Sequence, residues 1–390
     1  MSGEKALVPE LRFPEFEREW EKTDLGSICK ISTGKLDANA MVDNGAYPFF
    51  TCAKQVYAID RFAFDAESLL VSGNGANVGY VHYYSGKFNA YQRTYVLTDF
   101  DMNIKFIEHY LVRSLKRRIY SEVNEGNTPY IVRSTLSDMR IPKTCSQEQQ
   151  KIAAFLDAVS KKITLLTDKR EALTDYKRGV MHRLFSGTLR FTRSDGSAFP
   201  DWDERKLGDV AKIQSGATID QIGDETGAPV TRIETIAHGD VDFSKVGRVV
   251  QTPSLEKYKL RRGDILFSNI NSVSHIGKVA FFNDNRTLYH GMNLLRIQSN
   301  KSKIEPRFLL AFMRLPQTKA HFQRICNRAV SQASINQAAL AKTKVPLPSL
   351  EEQTKIADAL SALDAKIDAV SAKISQTEAF KKGLLQKMFV

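Results

Sequence analysis

The chain has 390 residues, of which 42% are hydrophobic and 26% charged, a composition that suits two or three globular domains. No run approaches the roughly 18 apolar residues of a membrane span, and Met1-Ser2-Gly3-Glu4-Lys5 does not open a signal peptide. Cys29, Cys52, Cys145 and Cys326 are scattered, which counts against a disulfide framework or structural zinc and suits reduced thiols in the cytoplasm. A formal charge of +12, from 56 Lys and Arg against 44 Asp and Glu, favours an anionic partner, nucleic acid first, over a merely basic surface.

In chain order the elements form two matching series. The first opens with Leu11-Arg12-Phe13, then an entry segment, Trp20-(x4)-Leu25-Gly26 and Lys30-Ile31-(x2)-Gly34. Leu69-Leu70-Val71-Ser72, Tyr80-Val81-His82-Tyr83-Tyr84 and Thr94-Tyr95-Val96-Leu97 have the β-branched and aromatic content of strands. Residues 104–120 carry a helical period that includes Lys116-Arg117-Arg118, a basic run that is either a solvated face or a phosphate contact. After Ile141-Pro142 comes a long apolar-periodic segment ending at Phe185.

The second series repeats the first. Its entry is Trp202-(x4)-Leu207-Gly208 and Lys212-Ile213-(x2)-Gly216, its strands lie at Ile265–Ser268, Gly277–Phe282 and Asn293–Ile297, its helix spans 306–327, and its exit is Val345-Pro346. The offset between copies grows from 182 to 204, and 14 of the 22 added residues enter before Ile265. The two edges of each series are alike and the middle has diverged, as expected of one scaffold given two targets. Leu189-Arg190-Phe191 follows the first long segment just as Leu11-Arg12-Phe13 opens the chain, so the order of parts is circular and the two ends are expected to lie together.

The long segments match without a gap from Glu148-Gln149-Gln150-Lys151-Ile152-Ala153 and Glu352-Gln353-Thr354-Lys355-Ile356-Ala357 to Phe185 and Phe389, with 13 of 38 positions identical. Ile152, Leu156, Val159, Ile163, Leu166 and Leu173, and Ile356, Leu360, Leu363, Ile367, Val370 and Ile374, step by threes, fours and sevens. Such steps predict a coiled-coil seam, and Ser146 and Ser349 precede the acidic first turns as caps. Helices of this length run to about 57 Å at 1.5 Å per residue. Two independent surface helices would also be amphipathic, but the strict period and equal lengths favour mutual, antiparallel pairing. The predicted fold is α+β: two similar globular α/β domains joined by two long antiparallel coiled-coil helices in a pseudo-twofold circular arrangement. The boundaries are 1–146, 147–186, 187–348 and 349–390.

Three apparent motifs lead away from catalysis. Gly73-Asn74-Gly75-Ala76-Asn77-Val78-Gly79 has its third Gly misplaced for a dinucleotide loop and precedes a strand, so it is a turn. Asn127-Thr128-Pro129-Tyr130 lacks one Pro of the amino-methyltransferase loop and becomes Ser331-Gln332-Ala333-Ser334 in the other copy. Pro200-Asp201 and Glu204-Arg205-Lys206 lie too close together for a nuclease signature. No catalytic residue and no metal site are expected. The polar loops instead offer base-reading chemistry, since Asn and Gln pair with adenine and Arg with guanine. The candidates for DNA contact are Lys35, Lys54, Asn74, Asn77, Gln92, Arg93, Asn127 and Tyr130 in the first half. In the second they are Arg232, Asn269, Asn271, His275, His290, Asn293, Arg328 and Gln332. Any one of them alone is more often a turn or surface residue; their clustering where the halves differ supports the set.

With the duplicated Trp-(x4)-Leu-Gly entries, the Ile-Pro and Val-Pro exits, the two Glu-Gln-(x)-Lys-Ile-Ala helices and their Tyr176-Lys177-(x)-Gly179 and Phe380-Lys381-(x)-Gly383 endings, the chain resembles the specificity subunit, HsdS, of type I restriction–modification systems. The resemblance covers essentially the whole chain. It implies two target-recognition domains, each reading half of a bipartite double-stranded DNA site, and a helix pair acting as ruler and as platform for two modification (methyltransferase) subunits. It further implies that this chain binds no cofactor itself, S-adenosylmethionine, ATP and Mg belonging to modification and restriction/translocase subunits. The alternatives are a coiled-coil protein scaffold and a stand-alone DNA methyltransferase or nuclease, the latter disfavoured by its missing motifs.

Overall fold

The computed structural model describes residues 7–122, 130–224, 226–328 and 332–390. They divide into two compact units, unit 1 from Met1–Asp168 with Val370–Val390 and unit 2 from Lys169–Ala369. Among the described residues no helix is long and apolar enough to cross a membrane.

Unit 1 is built on a six-stranded sheet in the order Lys30–Thr33, Thr94–Thr98, Phe64–Ser72, Val81–Ala90, Tyr47–Phe50, Tyr57–Ile59. Leu69, Leu70 and Val71 are all fully buried because both faces of the sheet are covered, and a strand buried on both faces reads as a continuous apolar run. Alternation then sorts the run. Leu69, Val71, Leu97 and Ile31 join the helix Ile104–Glu122 in the main core, while Leu70, Val96, Phe88, Phe50 and Ala90 form a second small core.

Unit 2 keeps the central strands Ala211–Ser215, Leu294–Ser299, Asp264–Ser268 and Val279–Phe282. The register is the same: Thr33 pairs Tyr95 and Ser72 pairs Thr94 in unit 1, Ser215 pairs Leu295 and Ser268 pairs Leu294 in unit 2. The strand pair Ala228–Val230 with Gly247–Val249 stands where unit 1 has Tyr47–Phe50 with Tyr57–Ile59, the parallel bridge Val230–Tyr289 matching Phe49–Asn89. The added residues therefore lie in longer connections, such as 231–246 against 51–56, and the pair has a core around Leu255 and Tyr289. One expectation needs correcting. Residues 306–327 are not one helix but two, Pro306–Met313 and Pro316–Ile325, because Pro316 lacks the amide and has the ring that end the first.

The repeated entries and exits pair with each other. Glu21–Asp24 runs antiparallel to Arg140–Lys143, and Asp203–Lys206 to Lys344–Leu347, so each globular body is closed where it meets a long helix. Those helices are Ser146–Phe185 and Leu350–Lys387. Ser349 accepts the Glu352 amide as a cap, whereas Ser146 is itself the first helical residue.

Within each unit the start of one long helix meets the end of the other. In unit 1, Ile152, Leu156 and Val159 share a core with Leu384, Leu385 and Phe389; in unit 2, Ile356 and Leu360 share one with Leu184 and Phe185. This is the antiparallel sense that the repeat predicts. All twelve seam residues are buried or half-buried, while Leu165, off the seam, is 59% exposed.

The helix signature itself is a buried clamp. Arg12 donates to both Glu148 carboxylate oxygens at 2.7 and 2.9 Å, and the Trp20 indole donates at 3.1 Å. Arg190 does the same to Glu352 at 2.7 and 2.9 Å, with Trp202 at 3.0 Å. Both carboxylates are fully buried, and each holds its arginine's pKa above the usual value. The next residue completes the fit. Gln149 takes the Asn103 amide on Oε1 and donates to the Thr144 carbonyl, and Gln353 takes Glu305 and donates to Pro348.

Candidate nucleic-acid interface

Loops at the divergent middle of each unit carry most of the polar candidates. In unit 1 the turn Tyr91-Gln92-Arg93-Thr94 is the centre, closed by the Thr94 amide on the Tyr91 carbonyl at 2.8 Å. Three other segments hold it. The Gln92 amide donates to Leu36, the Gly73 amide to the Arg93 carbonyl (both 2.8 Å), and the Cys52 thiol to that same carbonyl at 3.4 Å. Gly73 is required there, because an added Cβ would sit 2.3 Å from the Arg93 oxygen. A fourth segment joins through the Ile131 amide on the Gly73 carbonyl and a backbone bridge between Asn74 and Tyr130.

This brings Lys35, Lys54, Asn74, Asn77, Gln92, Arg93 and Tyr130 into one loop cluster. Lys35, Lys54, Gln92, Arg93 and Tyr130 are exposed. Lys54 stands 5.7 Å from the Tyr80 ring centre, and Gln92 donates to Asp37 at 2.7 Å. Asn77 spends its amide nitrogen on the Cys52 carbonyl, bracing the loop. Asn127 lies outside the described residues. The segment after Gly79 is strand, Val81–Ala90, as expected of a turn and not of a dinucleotide loop.

Arg133 belongs to the cluster and is absent from the sequence candidates. It is exposed, and both it and Arg93 lie close enough to Tyr95 to oppose the upward pull of burial on that phenol. The only signal for it in sequence was its place three residues beyond Tyr130.

Unit 2 repeats the frame with other side chains. The Ile335 amide donates to the Asn269 carbonyl at 2.9 Å, as Ile131 does to Gly73. Register therefore equates Gly291-Met292-Asn293-Leu294 with Tyr91-Gln92-Arg93-Thr94. Met292 and Asn293 are exposed at the tip, and Asn293 has φ 65°, a left-handed conformation that Asn tolerates. Asn271 and Arg328 flank Ala333 in a small three-stranded ribbon, with Gln332 exposed beside it. Asn271 turns its amide inward to Ser268 and Ser272, and His275 Nδ1 lies 2.8 Å from the Ser272 hydroxyl. Arg232 is exposed in the connection that follows Ala228–Val230, next to Thr231, whose hydroxyl accepts the Gly291 amide.

His290 is a correction. Expected on the DNA-facing surface, it is 1% exposed, at the position that Ala90 holds in unit 1. Its Nε2 donates to the Leu294 carbonyl at 2.9 Å, and burial pushes its pKa down to about 4. A neutral buried imidazole braces the turn that presents Asn293 and offers nothing to a base. Asn269 is half-buried, and its Oδ1 meets no donor among the described residues.

Among the described residues no group of three or more His, Cys, Asp or Glu side chains could hold a metal ion. Burial pushes the Cys29 thiol up to about 12, far from a nucleophile's range.

Comparison with known proteins matches this architecture. The family model described as "Type I restriction modification DNA specificity domain" matches twice, over residues 17–175 and 200–379. The chain is 46% identical over 193 residues to the putative type I restriction enzyme MjaX specificity subunit of Methanocaldococcus jannaschii, covering 48% of this chain and 45% of that one. It is 27% identical over 397 residues to the type I restriction enzyme EcoDI specificity subunit of Escherichia coli, covering 95% and 87%. The crystal structure of the type I restriction–modification S subunit from M. genitalium shares the fold, with a TM-score of 0.65 at 19% identity over 98% and 99% of the two chains. With the same domain matched once over each repeat, the chain belongs to the type I restriction–modification DNA specificity family.

Proposed function

We infer that this chain is the non-catalytic subunit that gives a type I restriction–modification enzyme its DNA sequence specificity. Unit 1 reads one half of a bipartite, asymmetric site and unit 2 the other, while the long helices set the spacer and dock two modification subunits. Methyl transfer from S-adenosylmethionine, and ATP- and Mg-dependent translocation by a restriction subunit, belong to those partners, in the cytoplasm.

One observation carries the reading: a single backbone frame occurs twice, in register, with different side chains at the same loop tips. Gln92-Arg93 in unit 1 corresponds to Met292-Asn293 in unit 2, and Tyr130 to Ser334. Backbone contacts position a protein on DNA and side chains at base edges specify the sequence, so a shared frame with divergent tips fits two half-sites.

The test is a methylation map of host DNA with and without the gene, together with binding of the assembled complex at graded salt. The expected map has one interrupted motif that vanishes with the gene. With six to ten phosphate contacts, affinity should fall about 10³- to 10⁵-fold between roughly 50 and 200 mM salt. Salt-independent binding and an unchanged map would instead favour a protein scaffold, and methyl transfer by the purified chain alone would favour an enzyme.

A further inference from the structure

Unit 1 contains a cleft of about 290 Å³ lined by Thr33, Gly73, Gln92, Arg93, Tyr95 and Ile131. This is at the small end for a small-molecule site, and it suits the edge of a single base better than a cofactor. The register shared by the units gives its counterparts as Ser215, Asn269, Met292, Asn293, Leu295 and Ile335. Thr33 and Ile131 keep their kind as Ser215 and Ile335, whereas Gly73 becomes Asn269. The groups able to address a ligand, Gln92, Arg93 and Tyr95, become Met292, Asn293 and Leu295. A guanidinium in one unit is an amide in the other.

That exchange separates two roles. A group that only grips phosphate meets the same anionic backbone in both half-sites, so its charge has no reason to differ between units. A group that reads a base meets a different partner in each half-site and must differ. Arg93 against Asn293 is such a difference, and Arg and Asn are the side chains whose forks match guanine and adenine.

Among the described residues Arg93 is the charged donor lining the cleft, and no side-chain hydrogen bond or ion pair engages its guanidinium. Gln92 Nε2 is bound to Asp37, and the Tyr95 hydroxyl donates to the Ile131 carbonyl at 2.9 Å. Among the described residues no carboxylate pairs with Arg93, and its backbone is held by the Gly73 amide and the Cys52 thiol. A readout group needs this kind of fixed platform.

Building on the specificity-subunit reading, we propose that Arg93 is a specificity-determining residue of unit 1, selecting one guanine through its guanidinium while the cleft receives that guanine's major-groove edge.

The experiment selects bound duplexes from a randomised library with the full chain assembled with its modification subunits, at fixed salt. The wild-type complex should return a two-part motif with a guanine in the half-site read by unit 1. Arg93→Ala should lose preference at that guanine alone, by roughly 5- to 150-fold, and leave the other half-site unchanged as evidence of folding. Arg93→Gln should shift the same position toward adenine. An unchanged motif, uniform weakening on every sequence, or relaxation at a base other than guanine would each overturn the proposal. A wild-type complex that returns no motif at all would instead sink the specificity-subunit reading beneath it.

Discussion

Glu148 and Glu352 each carry two charged hydrogen bonds and an indole hydrogen bond in the interior, so their removal strands partners that water cannot fully reach. Breaking a buried pair by deleting one member costs about 3–5 kcal/mol, mainly because the remaining charge is left unpaired. Glu148→Ala should therefore destabilise unit 1 by about that much. Glu352→Ala should cost less, because Arg190 is 28% exposed against 10% for Arg12 and can rehydrate. Denaturant unfolding followed by tryptophan fluorescence would read both, since Trp20 and Trp202 are the indoles involved; equal, negligible losses would refute the clamp. The sequence showed each of these residues twice, in Leu-Arg-Phe, in the Trp entry and in the Glu-Gln start. It could not show that they bond, because Arg12 and Glu148 are 136 residues apart and no local pattern encodes such a pairing. The burial of His290 is hidden from the sequence for a related reason. Whether a polar residue at a strand end faces solvent or core is settled by register with distant strands, and the comparison that mattered was with Ala90.

At the scale of the element, the long helices were the most legible part of the chain. Their apolar steps follow the coiled-coil period from Ile152 to Leu173 and from Ile356 to Ile374, and that strict period in two helices of equal length favours pairing over two independent surface helices. The structure turns the pattern into an energetic contrast. Ile356 is fully buried and Leu165 is 59% exposed, although both are aliphatic residues of the same helix pair. Ile356→Ala should cost about 2–5 kcal/mol, and Leu165→Ala no more than about 0.5 kcal/mol. Thermal unfolding midpoints of the two variants would check this, and similar shifts would mean that the period does not mark the packed face. The break at Pro316 was less legible, because a helical period on both sides of a proline looks continuous until the chain's direction is known. The strands were found, but their ends moved by a residue or more; strand ends depend on the partner strand more than on composition.

For the whole molecule, the entry and exit strands explain why sequence divergence stays in the middle of each half. Glu21–Asp24 with Arg140–Lys143, and Asp203–Lys206 with Lys344–Leu347, close each body at its helix end, so what lies between can change without disturbing the frame. Exchanging residues 35–140 for the equivalent segment of another family member should therefore alter one half-site and leave the other intact. Methylation mapping of a strain carrying the hybrid reads the outcome directly, and a change in both halves would show that the units do not recognise DNA independently.

One hydrogen bond that both units make closes them in different ways. In unit 2 the Leu189 amide meets the Arg183 carbonyl six positions back; in unit 1 the same bond joins Leu11 to Lys387, beside an ion pair between residues 377 apart. Unit 2 is thus a continuous stretch of chain that can close as soon as it leaves the ribosome. Unit 1 cannot, because the ring of Phe389 that packs on Trp20 and Phe106 follows the whole of unit 2 in the chain. At about 5–20 residues per second, the first part of unit 1 waits about 10–45 s for its missing helix end. During that interval the apolar surface that Leu384, Leu385 and Phe389 will cover is open to any other chain, which makes unit 1 the part of the molecule that needs protection at birth.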